Sequence, residues 1–326
     1  RTRILTIFFI VNYNVFKHFY KFLFIFFLLF CLTIVKNVNA QCFSHIPYAH
    51  NNKYTHLPKN VKFCVKNKSG LFNFKTSDLN SRIIFEKNVY ENIYFAFGDS
   101  QLLGIDWDET KNVKHDLQHL LDNKNISIFA SPNNGPFQAL AQAKYILKNN
   151  EFKKLKKIIF SFNFGNDIFR IHKNWKLENF VPLHSNDLDL IVRRPFLYDL
   201  VILKGVLSGK FFSTNLPNIS ETYLQYKNLE KKNSKERIDT WLKKMKNFKN
   251  SLTKQFTLVM YPPYWIYSKK GEIIYRDVWD DYNELYLYVS SKNVFDEIKL
   301  GILHSNLYLT VDERHFKTGS ISFKNK

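Results

Sequence analysis

Four short apolar runs constrain what this chain can fold into: IYFAF (93–97), ISIFA (126–130), KIIFSFNF (157–164) and FTLVMY (256–261). Each has the length and composition of a buried strand. Helical segments stand between them. One runs to Asp122. Another, PFQALAQAKYILKNN (136–150), has Phe137, Leu140, Ala141, Ala143, Tyr145 and Ile146 on its apolar side. Strands alternating with helices imply βαβ units and a mostly parallel sheet covered on both faces. The expected fold class is α/β. Pro262-Pro263 halts the fourth strand, because proline cannot donate to a ladder.

The 326 residues suffice for one large domain with a small appendage. Residues 41–92 form a polar, turn-rich lead. Within it, VKFCVKNKSGLFNFKTSDLNSRIIF has the short runs and Gly/Asn breaks of small β-hairpins. Residues 93–326 form the main domain. The stretch 172–254 exceeds a simple crossover and reads as an inserted, mainly helical cap with turns marked by Pro195 and Pro217.

The N-terminus has the order of an export signal over residues 1–40. A basic flank (KHFYK, 17–21) precedes the uncharged apolar run FLFIFFLLFCLTIV (22–35), and Val38-Asn39-Ala40 follows. The run is short for a bilayer core, which needs about 20 residues. The protein is therefore expected to be exported, periplasmic or secreted, with a retained membrane anchor as the alternative. The sequence opens on Arg1 rather than Met, which leaves residues 1–16 open to being an over-extended start. Cleavage after Ala40 would remove five basic residues (Arg1, Arg3, Lys17, Lys21, Lys36) and no acidic ones, taking the formal charge from +20 to +15. It would also remove Cys31 and leave Cys42 and Cys64, either as a disulfide pair or as two free thiols.

A charge of +20, from 48 Lys and Arg against 28 Asp and Glu, suggests an anionic partner. However, Lys, Asn, Phe, Ile and Tyr are abundant together, as coding bias produces. FKKLKK (152–157) and KKMKNFK (243–249) read as solvated helix faces. No nucleic-acid partner is expected.

In open parallel sheets, ligands bind beyond the carboxyl ends of the strands. There this chain places Gly98-Asp99-Ser100, then Asn133-Asn134-Gly135, then Gly165-Asn166-Asp167. Near the C-terminus stands Asp312-Glu313-Arg314-His315. Each is an ordinary turn or cap when taken alone. In this order they resemble blocks I, II, III and V of the SGNH/GDSL hydrolase superfamily, over residues 93–320.

The resemblance implies a three-layer α/β/α, flavodoxin-like sheet and an acyl-serine mechanism without cofactor. Ser100 would be the nucleophile, His315 its general base and acid, and Asp312 the group orienting the imidazole. The oxyanion hole would take the backbone N–H groups of Ser100 and Gly135 and the side-chain amide of Asn166. Asp99, Asp167 and Gly319 would be supporting positions. Asn133 or Asn134 remains an alternative to Gly135 at the oxyanion turn.

Two residues depart from the family pattern. Gln101 stands where an apolar residue is usual, and Phe164 holds the first glycine position of block III. The latter resembles the F-x-x-G-N-D variant of extracytoplasmic members, some of which act on polysaccharides. The expected substrate is an O-acyl group, O-acetyl first, on a carbohydrate, or a small ester. Two rivals stay open: a polysaccharide O-acyltransferase using the same triad, and a catalytically silent polysaccharide-binding protein.

No metal set is read. His115 and His119 have helical i, i+4 spacing but lack the glutamate of a zincin motif. His172, His184 and Trp107 are candidates to line the cleft.

Overall fold

The computed structural model describes residues 42–43, 46–67, 70–83, 89, 93–103, 126–172, 183–192, 194, 197–198, 200–201, 203–204, 219–229, 231–263, 266, 273–303, 308–309, 316–318 and 321–324. In chain order the lead contributes β1 (Ala49–His50), β2 (Thr55–His56), β3 (Lys62–Asn67), β4 (Gly70–Lys75) and β5 (Arg82–Ile83). Then come β6 (Tyr94–Gly98), α1 (Ser100–Leu103), β7 (Ile126–Ala130), α2 (Pro136–Asn149), β8 (Lys157–Asn163) and α3 (Phe164–His172). Four elements follow: α4 (Ser185–Val192), α5 (Ile219–Lys227), α6 (Lys231–Asn250) and β9 (Gln255–Tyr261). The chain closes with α7 (Arg276–Ser291), β10 (Glu297–Leu303), β11 (Tyr308–Leu309), β12 (Phe316–Thr318) and β13 (Ile321–Lys324).

The four apolar runs are β6, β7, β8 and β9, within a seven-stranded sheet of order β13-β10-β9-β8-β6-β7-β5. The five inner strands are parallel, and β5 and β13 close the edges antiparallel. The first parallel strand, β6, lies between the second, β7, and the third, β8. The connections leaving β6 and β8 therefore run in opposite directions along the sheet. In open parallel sheets a switch of this kind is where ligands bind, here beyond the carboxyl ends of β6 and β8.

Alternation along the strands divides the core in two. Phe95, Phe97, Phe129, Phe160, Phe162, Phe256 and Leu258 face a helical layer that includes Ala143 of α2, Trp241 and Met245 of α6, and Tyr282 of α7. In register, Phe97 stacks on Phe129 at 5.0 Å and on Phe160 at 5.6 Å. Such cross-strand aromatic pairs fix register as well as burying area. Tyr94, Ala96, Ile128, Ile159 and Tyr261 face the other way. Among the described residues that face is covered by Phe63, Val65, Phe72 and Phe74 of the β3–β4 hairpin, and by Leu188 and Val192 of α4.

The lead is thus built into the domain. Its β5 is an edge strand of the main sheet. Arg82 is buried, lies 4.4 Å over the Phe74 ring and donates to the Leu103 carbonyl at the end of α1. Cys42 and Cys64 are disulfide-bonded, with Cα atoms 4.7 Å apart. The expected cap at 172–254 also takes in α6, which packs in the core of the sheet. Among the described residues no helix is long and apolar enough to cross a membrane. The export signal over 1–40, including the apolar run at 22–35, lies outside them.

Candidate active site

β6 ends at Gly98, and its geometry explains the residue. A Cβ there would sit 1.9 Å from the Ser161 Oγ of neighbouring β8 and 3.0 Å from Leu102 Cδ2. Any larger residue there would force the Ser161 and Leu102 side chains to shift. Asp99 follows, 2% exposed. Its carbonyl accepts from the Leu103 N–H at 3.1 Å, starting α1. Ser100 is the first residue of α1 and is buried. It stands just beyond the carboxyl end of β6, where the strand order changes direction.

The turn after β7 is tied to its surroundings from several sides. Asn133 adopts a left-handed backbone, φ 66°, a conformation asparagine tolerates. Its Nδ2 donates to the Tyr48 hydroxyl at 2.9 Å. Asn134 is fully buried. Its Oδ1 accepts from the Thr55 N–H at 2.8 Å and the Thr55 hydroxyl at 2.9 Å. Its Nδ2 donates to the Thr55 carbonyl at 3.1 Å and to Gln142 Oε1 at 3.2 Å. The Asn134 side chain is therefore committed to holding the lead against the turn. Gly135 opens α2, and its N–H donates to Gln138 Oε1 at 3.2 Å. That bond caps the helix. For the Gly135 N–H to meet a substrate oxygen, the Gln138 side chain must give it up.

After β8, Asn163 caps α3. Its Oδ1 accepts from the Gly165 N–H at 3.1 Å, while its own N–H donates to Asp167 Oδ2 at 2.8 Å. This reciprocal pair satisfies two donors that a helix start would leave orphaned. It also sets Asn166 in the first turn. Asn166 Nδ2 donates to Asp99 Oδ2 at 3.3 Å, beside Ser100.

A residue that sequence reasoning missed joins these turns. Arg170 lies one turn beyond Asn166 on α3. Its Nη1 is 3.4 Å from Asp99 Oδ2 and 3.5 Å from Asp167 Oδ1, and it donates to the Asn134 carbonyl at 2.5 Å. Arg170 and Asn166 thus share the same Asp99 oxygen.

Burial pushes the Asp167 carboxyl well above the usual carboxylate range. The Asp99 charge adds to the rise, and Arg170 and the Asn163 N–H oppose it. Tyr261, at the end of β9, is raised by burial and then by Asp99. Burial pushes Tyr48 up to about 12, against the pull of Arg170 and the Asn133 hydrogen bond.

The described residues thus bring together Ser100, Asp99, Gly135, Asn166 and Asp167 at the ends of β6, β7 and β8. Asp312 and His315 lie outside the described residues, as do Gly319, Trp107, His115 and His119. His184 is exposed, its ring edge-on to His50 at 5.5 Å. Among the described residues no group of three His, Cys, Asp or Glu side chains could hold a metal ion. No protein-family model matches the chain, and no curated protein matches it.

Proposed function

We propose that the protein is an exported serine ester hydrolase of the SGNH type, with the three-layer, flavodoxin-like fold that this type uses. Its reaction would remove O-acyl groups, acetyl first among them, from a carbohydrate. The observation that carries this reading is the position of Ser100. It is a buried serine just beyond the carboxyl end of β6, with the Asn166 amide one residue away on Asp99. Nothing in helix capping requires a serine, an asparagine amide and a shared carboxylate to converge at a switch of strand order.

In the reaction Ser100 Oγ attacks the ester carbonyl and gives its proton to His315. Asn166 and the Ser100 N–H stabilise the oxyanion. His315 then protonates the leaving alcohol, and water releases the acid from the acyl-serine. The Cys42–Cys64 disulfide supports an oxidising compartment, and so export.

One observation favours a second reading. The Gly135 N–H is held by Gln138, as a catalytically silent polysaccharide-binding protein could leave it. Labelling with a fluorophosphonate separates the two. Under the hydrolase reading, peptide mass spectrometry finds the adduct on Ser100. No adduct, together with binding to an acetylated polysaccharide that survives Ser100→Ala, supports the second reading and overturns the first.

A further inference from the structure

Arg170 belongs to none of the sequence blocks that suggested the site, yet it touches all three described turns. One nitrogen reaches Asp99 after β6, Asn134 after β7 and Asp167 after β8. The side chain is largely enclosed, 12% exposed. Its aliphatic stem fills the space a Cβ on Gly135 would need, with Arg170 Cβ at 3.0 Å and Cδ at 3.1 Å. We propose that Arg170 is the positioning residue of the oxyanion site, clasping the three turns so that Asn166 and the Ser100 N–H aim at one point.

The inference rests on the hydrolase reading. Its physical basis is the shared acceptor. Asp99 Oδ2 orients the Asn166 amide at 3.3 Å, and Arg170 fixes where that oxygen stands. Nη1 has two hydrogens, which go to the Asn134 carbonyl and to Asp99 Oδ2, while Asp167 Oδ1 at 3.5 Å is held by charge alone. A lysine ammonium is a point charge on a flexible stem and holds fewer of them in place. Displacing a donor by about 1 Å costs roughly 100-fold in rate.

The test uses the full chain with Arg170→Met and Arg170→Lys, with Ser100→Ala beside them. Turnover of 4-nitrophenyl acetate is measured per site titrated by fluorophosphonate, and melting temperature is recorded separately. Normalising per competent site removes any loss due only to misfolded protein. The expected result for Arg170→Met is kcat per site lower by about 100-fold with KM within about threefold. Arg170→Lys should recover part of that loss. If Arg170→Met does not fold, Arg170→Lys carries the test, with an expected fall of about tenfold. Per-site kcat within twofold of wild type in every variant that folds overturns the proposal and leaves the hydrolase reading standing. A wild type that neither labels nor turns over overturns both.

Discussion

Gly135 and Arg170 exclude each other's growth: a Cβ on Gly135 would lie 3.0 Å from Cβ and 3.1 Å from Cδ of Arg170. The glycine is therefore not required by backbone conformation, since its φ of −110° suits any residue. The constraint on it comes from the arginine stem packed against it, which leaves a Cβ tight contacts. Gly135→Ala should push Arg170 and Gln138 Oε1, also 3.1 Å away, by a few tenths of an ångström. Overpacking of this kind costs about 1–3 kcal/mol. Urea denaturation should show a loss at the low end of that range, and turnover should fall at least tenfold because Arg170 moves. An unchanged turnover would separate Gly135 from the site.

The contact between β6 and β8 predicts a larger penalty at Gly98. A Cβ would overlap Ser161 Oγ at 1.9 Å, so Gly98→Ala should destabilise by about 2–3 kcal/mol. Ser161 Oγ is buried and without a hydrogen-bond partner. Ser161→Ala alone should therefore be neutral or slightly stabilising. The double variant should recover part of the Gly98→Ala loss. Denaturation midpoints of the four proteins form a thermodynamic cycle, and additive effects would contradict the packing described.

How far the site was legible follows from which forces act locally. β6 to β9 could be read because buried parallel strands are continuous apolar runs. β10, EIKLGIL, could not, because charges interrupt its apolar run: Glu297 accepts from Lys157 of β8 at 3.0 Å and pairs with Lys299 of its own strand. Ser100 and Asn166 could be placed at strand ends because each follows a recognisable strand. Nothing in the sequence marks Arg170, since its three partners meet only once the sheet forms. For the same reason the sequence offers Asn134 as an alternative to Gly135 at the oxyanion turn, whereas its side chain is committed to holding the lead. Its partner Thr55 lies 79 positions away.

Asp167 predicts a pH dependence of stability. Its folded pKa is raised, by burial first and then by Asp99, against Arg170 and the Asn163 N–H. An unfolded aspartate titrates near about 3.9. The neutral carboxyl is the form the fold prefers, so its contribution is complete below that value. It is lost as pH rises through the folded pKa. Asp167→Asn keeps an acceptor for Asn163 but does not titrate. Wild-type stability relative to Asp167→Asn should therefore fall as pH rises from about 4. Urea midpoints at stepped pH check this, and a difference that does not vary with pH would contradict it.

The disulfide predicts a redox dependence. Cys42 and Cys64 are 22 positions apart and tie the residues before β1 to β3. Closing a loop of that length stabilises by about 3 kcal/mol in the chain-entropy account. Reductant, or Cys42→Ser with Cys64→Ser, should lower the denaturation midpoint accordingly. A midpoint indifferent to reductant would mean the hairpin holds its place on the sheet without the bond.

The central claim is that Ser100 is a nucleophile served by His315. Its most direct test is turnover of 4-nitrophenyl acetate by the purified protein beside Ser100→Ala and His315→Ala. The account predicts measurable hydrolysis by wild type, falling by about 10³-fold or more in both variants. Hydrolysis undiminished in Ser100→Ala would contradict it.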